Sequence, residues 1–67
     1  MNAADRKVLR RVAVILNREA DAIRESHTVG PKHDHWPSET PADQIAKEDH
    51  DEMIELARLL RAMALRP

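Results

Sequence analysis

Sixty-seven residues leave room for one domain, and a chain this short buries only about 60% of the surface its unfolded form exposes. It contains no cysteine, which excludes disulfides, thiolate zinc centres and cysteine nucleophiles. With a net charge of −1 and Trp36 as the only aromatic residue, it has neither an overall basic bias toward nucleic acid nor a stacking surface for single strands.

The longest apolar run, Val12 to Leu16, is far short of the roughly 20 residues of a membrane span. No basic-then-apolar leader opens the chain, so a soluble, cytoplasmic protein without a membrane partner is expected.

The first predicted element is a helix over residues 3–25. With Leu9 as origin and 100° per residue, Val12, Ala13, Leu16, Ala20, Ile23 and His27 fall on one stripe. Val8, Ile15 and Ala22 widen it on one flank, and charged residues fill the rest. Neither glycine nor proline interrupts the segment, and Asn2 can cap its first turn.

Residues 26–40 form a 15-residue connector in which Gly30-Pro31 and Trp36-Pro37 break regular structure. A connector this long in so small a protein usually has a job. Trp36 is expected to hold it against the helix ends; the alternative is that Trp36 anchors a partner.

A second helix is predicted over residues 41–65. Thr40 suits its cap, Pro41 its first position and Asp43 its first turn. With Ile45 as origin, Ala42, Ala46, Met53, Leu56, Ala57, Leu60, Met63 and Ala64 share a face and Leu59 flanks it. Asp49 interrupts this stripe, and His50 points nearly opposite to it.

The fold class that follows is all-α: two long antiparallel helices in a single hairpin domain. Both apolar stripes are too wide for one hairpin to cover. A two-fold homodimer forming a four-helix bundle is therefore expected. Leu9, Val12, Leu16, Ile23, Ile45, Met53, Leu56, Leu60 and Met63 are its predicted core and dimer residues.

Charge is segregated along the chain. Residues 1–18 carry +4, residues 19–55 carry −8 and residues 56–67 carry +3. Antiparallel helices would gather Arg6, Lys7, Arg10, Arg11, Arg58, Arg61 and Arg66 at one end, with an acidic middle and connector end. Within the basic end, Arg10, Arg11, Ile54, Arg58, Arg61 and Leu65 combine apolar residues with a rim of arginine, a composition suited to a protein partner. The alternative is a small dimeric DNA-binding regulator using Arg6, Arg10 and Arg61. Against it, the connector is too long for the 3–4-residue turn of a helix-turn-helix, so specific nucleic-acid binding is not expected.

Among the histidines, His27, His33 and His35 are the candidate zinc ligands of a metal- or small-ligand-binding module. One His-x-His without a second clustered pair lacks the usual ligand spacing, so no metal and no cofactor are expected. Asp49 reads as a ligand or acid/base group, or as a register-setting partner of a histidine or arginine. No nucleophile, oxyanion donor or second carboxylate pair accompanies it, and no phosphate loop or nucleophile elbow is present. An enzyme is not expected.

The run Glu19-Ala20-Asp21-Ala22-Ile23-Arg24-Glu25-Ser26-His27-Thr28, the lone Trp36 and the run from His50 to Leu60 resemble short accessory proteins encoded by phages and prophages of proteobacteria. Small anti-quorum-sensing inhibitors of Mu-like Pseudomonas phages are among these. The resemblance implies a host-takeover inhibitor that binds a bacterial protein such as a transcriptional regulator or a motor ATPase. It brings no catalytic residues to this sequence.

Overall fold

The computed structural model describes residues 1–66, which form two α-helices, α1 (Ala3–His27) and α2 (Pro41–Ala64). Both start where the capping residues direct. The Asn2 side chain accepts the Asp5 amide at 2.8 Å, and the Thr40 hydroxyl accepts the Asp43 amide at 3.1 Å. Each satisfies a backbone donor that the first turn cannot pair internally. Pro41 occupies the first turn of α2, where it costs no backbone bond.

The C-terminal ends differ slightly from the sequence pattern. Helix α1 runs past Glu25 to His27, because the amide and hydroxyl of Thr28 both donate to the Arg24 carbonyl and close the last turn. Helix α2 stops at Ala64, and the Leu65 amide turns back to the carbonyls of Arg61 and Ala62.

The helices lie antiparallel. At one end the Arg6 guanidinium donates to the Arg66 carbonyl at 2.8 Å; at the other, His27 Nδ1 lies 3.9 Å from an Asp43 carboxylate oxygen. The two basic segments therefore do share an end.

Between the helices, residues 28–40 are folded rather than irregular. Val29 and His35 form an isolated antiparallel bridge, with the Val29 amide donating to the His35 carbonyl at 3.0 Å. Inside it the His33 amide closes a turn on the Gly30 carbonyl at 3.2 Å. Gly30 at φ 96° supplies the left-handed backbone that the turn needs. His33 also has positive φ, 50°, and its Nδ1 lies 3.3 Å from the buried Thr28 hydroxyl. Trp36 is half-buried and packs on His50 of α2, ring centroids 4.9 Å apart. The indole thus holds the connector against the second helix.

The seam between the helices is made of alanine. Ala13, Ala20 and Ala57 are fully buried, Ala46 and Ala64 nearly so. Ala13 and Ala20 stand seven residues apart and continue to His27; His50, Ala57 and Ala64 repeat the same spacing on α2. Small side chains at this heptad position let the backbones approach closely.

This turns the contact toward the small residues of each stripe and corrects one reading, the direction of His50. Val12, Ile45, Leu56 and Met63, expected as core or dimer residues, are exposed within the single chain because the alanine rows occupy the line of closest approach. Leu9, Leu16, Ile23, Met53 and Leu60 border the seam half-buried. His50 does not point away: its side chain is only 14% exposed, in the seam row of Ala57 and Ala64. Asp49 is exposed but stays inside the stripe, lining grooves between the helices with Ala42 and Ile45 on one side and Met53 and Leu56 on the other.

The result is one layer. The molecule measures 45 × 22 × 13 Å, and its least dimension is about the thickness of a single helix. Its radius of gyration, 14.4 Å, exceeds the roughly 11 Å of a compact domain of this length.

Candidate functional site

A single helical layer has two broad faces, and here they differ in chemistry. On one, α1 presents Val8, Val12 and Ile15 beside Leu16, and α2 presents Leu56, Leu59 and Met63. Val8 is 60% and Leu59 43% exposed. Farther toward the connector, Ile23 and Ile45 line a shallow groove of about 350 Å³ with His27, Ala42 and Asp49. A second groove of about 330 Å³ runs between Leu16, Met53 and Leu56, with Asp49 and Glu52 at its edge. This face is therefore apolar over most of its length, crossed by a narrow band of Glu19, Asp49 and Glu52.

On the opposite face, Arg10 and Val14 of α1 meet Arg61, Ala64 and the segment end Leu65 around a groove of about 260 Å³. With its amide oxygen turned to α2, Asn17 accepts from Arg61 Nη1 at 2.8 Å. Arg58 lies on the same side of α2 but is paired with Glu55, Nη2 to Oε1 at 2.6 Å and Nε to Oε2 at 3.0 Å. That bidentate pair lowers the Glu55 carboxyl below its ordinary value and raises the Arg58 guanidinium above its own. Nearer the connector, Asp51 is lowered by its hydrogen bond from Lys47 at 2.8 Å and then by His50 at 3.0 Å.

The structure thus separates residues that the sequence pattern could only group. Arg10, Arg61 and Leu65 line one groove; Ile54 and Arg58 extend the same row of α2, while Arg11 projects from the back of α1. Trp36 is drawn to the connector end and belongs with His50. His27, His33 and His35 do not converge: His27 faces Asp43, His33 faces Thr28, and His35 is exposed. Among the described residues, no three His, Cys, Asp or Glu side chains are grouped to hold an ion. Among those residues, too, no helix is long and apolar enough to cross a membrane.

The hydropathy stripes contain the seam alanines without marking them as the line of closest approach, which decides which residues face outward. The signal for that line is in the sequence, in the seven-residue spacing of Ala13 with Ala20 and of Ala57 with Ala64. Comparison with family models, with curated proteins and with solved structures gave no match to this chain.

Proposed function

We propose that the chain is a non-enzymatic interaction protein that works as a homodimer, two hairpins pressed together by their apolar faces into a four-helix bundle. One observation carries the reading: the helix–helix seam uses alanine, so large apolar side chains are left outside, most of them on one face.

The area supports it. A compact monomer of 7.7 kDa exposes about 4,300 Å², whereas this chain exposes 5052 Å². The excess, about 700 Å², is close to the roughly 800 Å² that each partner contributes to a standard interface. At about 25 cal/mol per Å² of apolar surface, each ~100 Å² of it that is covered contributes about 2.5 kcal/mol before the entropy of association is subtracted. Leaving it in water is the more costly state, and a second copy carries the matching surface by symmetry.

In this reading the dimer is the scaffold and a host bacterial protein is the target, as the resemblance to phage accessory proteins would imply. The experiment is proximity cross-linking with a short bis-maleimide, made simple by the absence of native cysteine. Leu59→Cys lies on the apolar face and Arg18→Cys on the back of α1. Efficient dimer capture from Leu59→Cys with little from Arg18→Cys is expected. Equal capture from the two positions, or capture from neither, contradicts the proposal.

A further inference from the structure

The groove between Arg10 and Arg61 faces away from the proposed dimer interface. We infer that it docks an acidic amphipathic helix of another protein, seating an aliphatic side chain between the two guanidinium groups with carboxylates on either side. This inference rests on the reading of the chain as a self-assembling interaction protein.

Four observations carry it. The floor is apolar, formed by Val14, Ala64 and Leu65, and Leu65 is 82% exposed, the highest value among the large apolar residues. The volume, about 260 Å³, matches one or two side chains rather than a whole small molecule. The walls are cationic from both sides, Arg10 on α1 and Arg61 on α2. Among the described residues neither has a carboxylate partner, in contrast to Arg58, which Glu55 neutralises. The side chain beside Arg61 is the neutral Asn17 amide, which leaves the guanidinium charge unpaired.

Apolar floor and cationic rim together select the occupant. A nucleic-acid backbone would satisfy the arginines but leave Val14 and Leu65 uncovered, whereas an acidic helix with one apolar stripe satisfies both. A second copy of this chain is a poor fit. Of its outer acidic stripe, Asp51 and Glu55 are already paired within the chain, with Lys47 and Arg58.

The test uses a fluorescent synthetic peptide with one leucine stripe flanked by glutamates at helical spacing, followed by anisotropy. Controls are the same peptide with glutamine for glutamate, the same peptide with alanine for leucine, and random-sequence duplex DNA. The acidic leucine peptide is expected to bind, and both altered peptides to bind more weakly. Arg10→Gln, Arg61→Gln and Leu65→Ala should each weaken binding roughly tenfold, whereas Arg18→Gln on the back of α1 should not. Leu65 lies beyond α2, so its variant keeps both helices. No binding by the acidic peptide, equal binding by the glutamine peptide, an equal loss with Arg18→Gln, or displacement of the peptide by duplex DNA would each overturn the inference. The same samples are weighed by light scattering. Failure to bind by a chain that is still dimeric counts against the groove alone, while a monomeric wild type counts against the reading beneath it.

Discussion

Replacing Ala57 by leucine probes the seam where it is tightest. Ala57 is fully buried in the row that also holds His50 and Ala64, opposite the alanines of α1. Leucine adds three carbons at the line of closest approach, and a packed interior accommodates them only by moving a backbone or distorting rotamers, at a cost of about 1–3 kcal/mol. A chain of this size has a total stability on the order of 3–10 kcal/mol, so the loss is a large fraction of it. At roughly 4–8 °C per kcal/mol, the melting temperature should fall by about 4–24 °C. The control is Ala62→Leu, the same chemical change on an exposed position of α2, which should shift stability by less than about 0.5 kcal/mol. Both are measured by urea and thermal unfolding followed by circular dichroism, at one fixed protein concentration because assembly is linked to folding. An Ala57→Leu chain as stable as wild type, with Ala62→Leu no different, would mean that the helices are not in close contact along the alanine rows. The account of why the larger residues face outward would then be wrong.

Removing either N-cap, by Asn2→Ala or Thr40→Ala, should cost about 1 kcal/mol by urea unfolding, because each leaves a first-turn amide without its acceptor. Asp51 is held below the ordinary aspartate value, mainly by Lys47, so its contribution is present above the unfolded-state value and lost as pH falls through the folded one. The pair is exposed, so that contribution is at most ~0.5 kcal/mol; Asp51→Asn should lower stability slightly at neutral pH and leave acid stability unchanged. Treatment with EDTA should leave the helical circular dichroism intact; a collapse of helicity, or about one zinc per chain by elemental analysis, would show that the histidines are ligands.

The two helices were legible because three signals agree within each: an apolar period near 3.6, a cap, and no internal breaker. The rotation of those helices about their axes was not. Hydropathy weights a stripe by its largest residues, which spread the face of α2 from Ile45 to Ala57 and left His50 outside it. Packing distance weights it by the smallest, which centres α2 on Ala46, Ala57 and Ala64 and draws His50 inward. The difference, about an eighth of a turn, decides what each face presents. The connector was legible as a break, through Gly30-Pro31, but not as a bridged loop. The Val29–His35 pairing depends on the left-handed backbone at Gly30 and His33, and the second of these has no strong sequence preference. Of the partner surface, the residue types and their gathering at one end were legible, but not which of them share a groove. Arg10 and Arg61 lie far apart in sequence, and only the antiparallel register brings them to one groove.

The most direct test of the central claim, that the apolar face is covered by a second copy, is the mass of the unmodified chain by light scattering across a concentration series. The account predicts about 15 kDa, twice the 7.7 kDa of one chain, at micromolar concentration, and a return toward the single-chain mass when Ile15→Glu places a charge on that face. A helical, stably folded 7.7 kDa species at every concentration would contradict it.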